Sequence, residues 1–393
     1  MKKYLFPMLL LALFSVGFTA SGEDDQVGPG TETPSKPAGY PDDSQAEPNP
    51  EITDSTTTIP NPSTSIEEVD GVPVVRIDLT GIKNAEDVDW MKLYGILDGD
   101  LQNVWVEVDG TPKGFVVVNN SENEGTENIP VDIVFTVDNS SSMTEEADAI
   151  ARDIKAWAEE LTNSGLNVRF GVVGYGGYIT GAIDMTTANE LSEYLDQKSG
   201  YMSTTRTQHF GGANAAKLED YAKKFPQTGY AALPYPDYNE CGALAIEFAD
   251  QYFTFRSGAN RVYVNFTDEP NQPNYNSNFS VKFFEDQSNW PASNGTVHTV
   301  YSAYKFDYNN WNYQEQPWLI SEYTGGTTIF TSSSFSGVTL SNLPVTGAMQ
   351  NSYIIRIGDI SDLLDGNPHL IHITIISKDG SVQADKTFWV VFE

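Results

Sequence analysis

The rhythm of hydrophobic and polar positions changes several times along the chain. Residues 131 to 137, VDIVFTV, are almost continuously apolar and end at Asp138; a run of this texture predicts a strand covered on both faces of a parallel sheet. Ala147, Ile150, Ala151, Ile154, Trp157, Ala158 and Leu161 then recur every three or four residues, the single apolar stripe of a helix. Glu145 and Glu146 fall in its first turn, where negative charge complements the helix dipole. The loop Asp138-Asn139-Ser140-Ser141-Ser142 thus leaves the carboxyl end of a strand and opens a helix. In open α/β sheets that crevice is where ligands bind.

Strand and helix patterns keep alternating to about residue 332. Strands are expected at Val168 to Val173, around Ile183, at Arg261 to Phe266, Val297 to Tyr301 and Thr327 to Thr331; helices at Thr186 to Gln197, Cys241 to Tyr252 and Pro317 to Tyr323. Such alternation implies a mostly parallel sheet with helices on both faces. Residues 199 to 238 carry much Gly, Tyr, Pro and Thr and one helical piece, Ala213 to Phe225, and read as an elaborated loop region. On either side the texture is β. Val72 to Leu79, Val104 to Val108 and Gly114 to Val118 precede the α/β unit, with Asp109-Gly110 as a hairpin signal. Tyr353 to Ile357, His369 to Ile376 and Thr387 to Phe392 come after it. Each fragment alone has few strands and an uncovered apolar face. Residues 67–125 and 345–393 are therefore expected to pack as one β-sandwich, with the α/β unit of residues 131–332 inserted in it or flanked by it.

Composition adds an export signal. Lys2 and Lys3, the apolar run from Leu5 to Phe18 and the small residues after it predict a signal peptide over residues 1–21, too short to favour a membrane span. A secreted or cell-surface chain with no transmembrane segment once mature is expected. Glu23-Asp24-Asp25 resembles the acidic stretch next to the lipidated cysteine of many bacterial surface lipoproteins, but no cysteine stands here to carry a lipid. Residues 22–66, acidic and rich in Pro, Ser and Thr, are poor in large apolar groups and read as a disordered linker. The net charge of -32 excludes nucleic acid and anionic membrane as partners, since both need a positive footprint. Cys241 is the single cysteine, so no internal disulfide forms. A small buried residue is the expected role, ahead of a low-pKa nucleophile.

Asp138, Ser140 and Ser142 present a carboxylate and two hydroxyls at alternating positions, hard oxygen donors suited to Mg²⁺ or Ca²⁺. Here the chain resembles the von Willebrand factor A (vWA) family, whose metal-ion-dependent adhesion site begins with Asp-x-Ser-x-Ser after its first strand. Asn239-Glu240-Cys241-Gly242-Ala243-Leu244 is similar to the third loop and helix start of one bacterial branch. Arg261 to Glu269 resembles the fourth strand with its terminal aspartate, Asp268; Val297 to Val300 with Tyr323-Thr324-Gly325-Gly326 resembles the closing strand, helix and turn. The resemblance implies a doubly wound, Rossmann-like sheet. It implies that Ser140 and Ser142 bind the metal directly, and Asp138 and Asp268 directly or through water.

One position departs from the family. Its second-loop threonine would fall at Ala213, which cannot ligate. Thr205, Thr207, Asp237 or Glu240 could stand in; Glu240 is preferred because it sits just ahead of the helix leading into the Asp268 strand. With neutral hydroxyls filling positions, a divalent cation stays under-neutralised and keeps a place for an outside anionic oxygen. In the family that oxygen is typically a partner's Asp or Glu. Mg²⁺ or Ca²⁺ is expected, with Mn²⁺ also admitted. The plainer alternatives are that the serines merely cap the helix or that a metal serves stability alone.

A second function class comes from residues 301–323, where Tyr304, Phe306, Tyr308, Trp311, Tyr313 and Trp318 stand among Asn and Gln. Tyr304, Tyr308, Trp311 and Tyr313 are candidates for binding a partner, a glycan in particular. The alternative is a loop packing its own rings onto the domain. Hydrolysis would need a general base beside the metal. No histidine falls in the loops around Asp138, Glu240 or Asp268, and His209 is the nearest in the chain region between them; no enzymatic activity is expected. His369 and His372, three apart on a strand, do not share a face and make no zinc pair. The expected function is an exported adhesion module binding a protein carboxylate through its cation.

Overall fold

The structure, a computed structural model, describes residues 35–392 except 84–88, 120–129, 141, 145, 165, 177–178, 197–239, 274–275, 303–314, 333–339, 341–342 and 344. In chain order the described strands are β1 (Ser63–Val69), β2 (Val72–Leu79), β3 (Val104–Val108), β4 (Thr111–Pro112), β5 (Phe115–Asn119), β6 (Val131–Asp138), β7 (Val168–Tyr175), β8 (Ile179–Thr186), β9 (Asn260–Thr267), β10 (Thr296–Tyr301), β11 (Thr328–Phe330), β12 (Tyr353–Ile357), β13 (Pro368–Ile376) and β14 (Gln383–Val391). The α-helices are α1 (Ala147–Asn163), α2 (Ala188–Asp196), α3 (Gly242–Tyr252), α4 (Leu319–Thr324) and α5 (Val345–Gln350). The fold is mixed α/β, with three sheets among the described residues.

Two antiparallel four-stranded sheets, ordered β1-β2-β12-β5 and β14-β13-β3-β4, share one hydrophobic cluster. Alternate residues turn inward, as the period of a strand requires: Val104, Val106 and Val108 from β3, Ile371, Ile373 and Ile375 from β13, and Ile355 and Ile357 from β12. Both sheets mix the two ends of the chain. β12 lies between β2 and β5, and β13 pairs with β3, Ile373 opposite Val106. The β3–β4 turn carries positive φ at Asp109 (51°) and Gly110 (76°), the requirement of a type I′ hairpin. The segment from residue 345 does not begin as β structure; α5 comes first.

Residues 35–66 differ from the expected disordered linker. They lie against the sandwich, and their last residues are the start of β1. Ile59 joins the sandwich core, and polar pairing holds much of the rest. The Asn49 N–H donates to Glu107 Oε1 at 2.9 Å, and its Nδ2 to the His372 carbonyl at 3.1 Å and Thr374 Oγ1 at 3.0 Å. Asp43 accepts the Gly114 N–H at 2.7 Å and pairs with Lys113 Nζ at 3.2 Å, a lysine only 4% exposed. Gly114 permits that approach, since a Cβ there would lie 2.3 Å from the Pro41 carbonyl.

His369, at the start of β13, ties two turns together. Its Nδ1 lies 2.8 Å from Asp109 Oδ2, its Nε2 3.1 Å from Asp365 Oδ1. The Asp109 hydrogen bond, more than any other influence, holds the imidazole above its ordinary value. A group raised on folding stabilises fully below its unfolded pKa and loses that contribution as pH rises through its folded one. Urea midpoints of wild type and His369→Gln should therefore differ most near pH 5 and converge toward pH 9. A difference constant across that range would show that the imidazolium contributes nothing. The effect is modest, because both carboxylates are about half exposed.

The third sheet has the order β11-β10-β9-β6-β7-β8. All neighbours are parallel except β8, which runs antiparallel to β7. Every residue of β6 is buried. Ile133, Phe135 and Val137 face one way, with Val262, Val264 and Phe266 of β9, under α1 and α2. Val134 and Tyr263 face the other, under α3 and Ile320 of α4. The buried set of α1 is Ala147, Ile150, Ala151, Ile154, Trp157, Ala158 and Leu161, one stripe. Glu146 is the residue that caps this helix, not part of its first turn. The strand order reverses between β6 and β9, which opens a crevice at their carboxyl ends. Among the described residues no helix is long and apolar enough to cross a membrane.

Candidate metal centre

Three chain segments end in that crevice. β6 delivers Asp138, and the loop after it carries Ser140 before a short 3₁₀ turn opens at Ser142. β9 delivers Thr267, with Asp268 next. Glu240 stands two residues ahead of α3.

Hydrogen bonds fix the loop. Asp138 is 1% exposed; its Oδ1 accepts the Ser140 N–H at 2.8 Å and its Oδ2 accepts the Thr267 hydroxyl at 3.0 Å. The Ser140 and Ser142 hydroxyls lie 2.8 Å apart, and Ser142 Oγ donates to Asp268 Oδ1 at 3.1 Å. One carboxylate oxygen from each of Asp138, Glu240 and Asp268 lies within 4.8 Å of the other two. The crevice thus gathers Asp138, Ser140, Ser142, Glu240 and Asp268.

The electrostatics are those of a site short of positive charge. Burial, with repulsion from Asp268, pushes the Asp138 carboxyl up to about 7, against the pull of the Ser140 N–H. Burial first, then Asp138, Glu269 and Asp268, push Glu240 up to about 8. Burial also raises Asp268. Glu240 Oε2 is buried and has no hydrogen-bond partner among the described residues, a costly state for a carboxylate oxygen unless something else meets it. Three carboxylates and two hydroxyls are a hard-oxygen set that fits Mg²⁺, Ca²⁺ or Mn²⁺ and could hold a metal ion.

Under this set lies a polar layer that sequence patterns did not single out. Thr136 Oγ1 and Tyr175 Oη both donate to Asn265 Oδ1, at 2.9 Å and 3.0 Å. The Asn139 N–H donates to the Tyr175 carbonyl at 2.6 Å, fixing the loop's exit from β6. Gly242 opens α3 directly over this layer, where a Cβ would sit 2.7 Å from Asn265 Nδ2. A signal was available: Thr136 and Asn265 are polar interruptions of otherwise apolar runs. Thr267, which steadies Asp138, carried none beyond its place beside Asp268.

Cys241 is buried, its Sγ 3.3 Å from Asn271 Oδ1, and burial pushes its thiol up to about 12. It stays a protonated, small core residue. Thr205, Thr207, Asp237 and His209 lie outside the described residues, as do Tyr304, Tyr308, Trp311 and Tyr313. Trp318, the described member of that aromatic group, packs edge-to-face on Tyr301 at 5.1 Å and Phe330 at 5.3 Å.

No protein-family model and no curated protein matches the chain. Among solved structures it is similar to the pilus adhesin SpaC of Lactobacillus rhamnosus GG in its open conformation, with 13% identity over 88% of this chain and 55% of that one and a TM-score of 0.34. The manganese-loaded TRAP protein of Plasmodium vivax gives 10% identity, coverage of 70% and 97%, and a TM-score of 0.29. The human COPII-coat protein Sec24c gives 9% identity, coverage of 72% and 47%, and a TM-score of 0.27. The chain spans about half the length of the pilus adhesin. At this level of likeness the reading of the site rests on its own geometry.

Proposed function

We propose that the chain is an exported, cell-surface adhesion module of vWA type, built on a doubly wound sheet, that binds a partner's Asp or Glu carboxylate through a divalent cation. The single observation that carries this is the convergence of Asp138, Ser140, Ser142, Glu240 and Asp268 at the point where the strand order reverses. The cation is Mg²⁺ or Ca²⁺, with Mn²⁺ also fitting the donors, and it would offer a positive point that an outside carboxylate can complete. Asp138 and Asp268 supply two negative charges, and Ser140 and Ser142 fill positions without adding any. Thr267 and the Ser140 N–H hold the Asp138 carboxylate in place. We read the site as one of binding and not of turnover, its named donors being the carboxylates and hydroxyls that a cation would occupy.

Glu240 sets how much charge is left for a partner. As a third carboxylate it over-neutralises a dication, so Glu240→Gln should weaken metal binding while strengthening capture of a carboxylate peptide by the loaded protein. Calorimetric titration of Mg²⁺, Ca²⁺ and Mn²⁺ into chelator-treated full chain, followed by a library of Asp- and Glu-bearing peptides, reads both. Saturable heat from a metal and metal-dependent peptide binding support the proposal. Metal heat without peptide binding would leave a structural ion, and no heat would remove the centre altogether.

A further inference from the structure

The polar layer beneath the metal centre ties together three strands. Asp138 and Tyr175 stand opposite each other at the carboxyl ends of β6 and β7, and Thr136 of β6 stands opposite Asn265 of β9. β6 lies between the other two strands. The Tyr175 side chain therefore crosses β6 to reach β9, where its Oη donates to Asn265 Oδ1 at 3.0 Å and lies 3.5 Å from the Phe266 carbonyl oxygen. Thr136 Oγ1, from β6 itself, donates to the same amide oxygen at 2.9 Å. One oxygen thus joins β6, β7 and β9 just ahead of Asp138 on one strand and of Asp268 beyond the end of another. The pairing of β6 with β9 ends at Val137 and Phe266, so both carboxylates stand past the last paired residues, and the tyrosine bridge grips the strands where that ladder stops.

Stability alone does not account for this layer. Thr136 and Asn265 are fully buried and Tyr175 is 1% exposed. Asn265 Nδ2 is buried as well and has no hydrogen-bond partner among the described residues. An orphan donor in the interior carries a penalty that a leucine of similar volume would not bring. The amide oxygen, which accepts from two other strands, is what the asparagine contributes in return.

We propose, resting on the metal reading above, that Tyr175 acting through Asn265 is a positioning residue that fixes the separation of Asp138 and Asp268, and with it the size of divalent cation the centre prefers. Mg²⁺ demands near-ideal octahedral geometry at about 2.0–2.1 Å, whereas Ca²⁺ takes six to eight oxygens at about 2.3–2.6 Å in flexible arrangements. The smaller and stricter ion is therefore the one that depends on two strand ends being held at one separation. Loosening the bridge spends Mg²⁺ affinity first.

Calorimetric titration of Mg²⁺, Mn²⁺ and Ca²⁺ into the chelator-treated full chain tests this in wild type, Tyr175→Phe, Thr136→Val and Thr136→Ser, with melting curves in chelator alongside. Tyr175→Phe removes the hydroxyl and keeps the ring. Its Mg²⁺ affinity should fall on the order of tenfold, as losses of outer-shell partners do. Its Ca²⁺ affinity should fall by less, so that the ratio of the two drops about threefold or more. Thr136→Val should move the ratio the same way, and Thr136→Ser, which restores the hydroxyl, should recover most of it. The melting curves identify a variant that fails to fold, and the other then decides. Equal weakening of all three ions, an unchanged ratio, or Thr136→Ser behaving as Thr136→Val would each overturn the positioning role and leave the metal centre standing. No heat from any ion in wild type would remove the centre and the positioning role together.

Discussion

Chelated Asp138→Asn protein should melt no earlier than chelated wild type, yet gain nothing from Mg²⁺, Ca²⁺ or Mn²⁺, while wild type gains several degrees. The asparagine keeps one acceptor oxygen for either the Ser140 N–H or the Thr267 hydroxyl, so one of two hydrogen bonds goes. A lost hydrogen bond costs about 1 kcal/mol. Against it stands the removal of a buried carboxylate crowded by Asp268 and Glu240, which is favourable when no cation is present. With metal the ranking turns over. A ligand that binds only the folded chain at about a hundred times its Kd stabilises by about 2.7 kcal/mol, and the variant lacks the group that anchors it. Melting curves of the two proteins, chelated and loaded, check this. An equal rise in both would place the cation elsewhere and remove the proposed centre.

Trp157→Ala should cost the fold about 3–5 kcal/mol, the usual range for deleting a large buried aromatic. Trp157 is 1% exposed on α1 and meets Phe135 of β6 edge-on, centroids 5.9 Å apart at 70°. Phe135 also packs on Phe170 and Phe266, at 6.4 Å each. The indole therefore plugs the layer on which α1 rests, and α1 is what the Ser140 to Ser142 loop runs into. Urea unfolding should show the loss directly, and metal affinity should fall with it because the loop is no longer backed. A change under about 1 kcal/mol would mean this face collapses around the gap with little penalty.

What could be read from the sequence was local. The strand ending at Asp138 and the stripe of α1 come from periods of two and about 3.6, which need only neighbouring residues. Asp138, Ser140 and Ser142 are legible as alternating oxygen donors after an apolar run, and Asp268 through the resemblance of the strand it ends to the vWA family. Glu240 was chosen from several candidates by its place ahead of a helix; its nearness to Asp138 depends on how close α3 comes to the sheet, which Gly242 permits and no pattern states. The antiparallel direction of β8 had a sign that the alternation of elements masked. Only a few residues separate Tyr175 from Ile179, too few for the crossover that a parallel pair needs. Residues 35–66 misled because composition measures apolar burial. Their anchors are a single core residue, Ile59, and hydrogen bonds such as those of Asn49, to partners 58 and 323 residues away, and nothing within a local window encodes such pairs.

The interrupted sandwich has a consequence for the ribosome. β12 must slot between β2 and β5, yet everything from Asn119 to Tyr353 is translated in the interval. At about 5–20 residues per second the half-built sheet waits on the order of 10–50 s with the β2 and β5 edges unpaired. An open apolar strand edge is a template for association with another chain. The β1–β2 hairpin, closed by Asp70-Gly71 at positive φ, protects one side of β2 at once, and Glu67 with Arg76 puts charge on its surface. Until β12 arrives β2 has one strand partner and β5 none, so the open edges of both are the vulnerable ones. The α/β unit has time to form before the sandwich closes around its two ends.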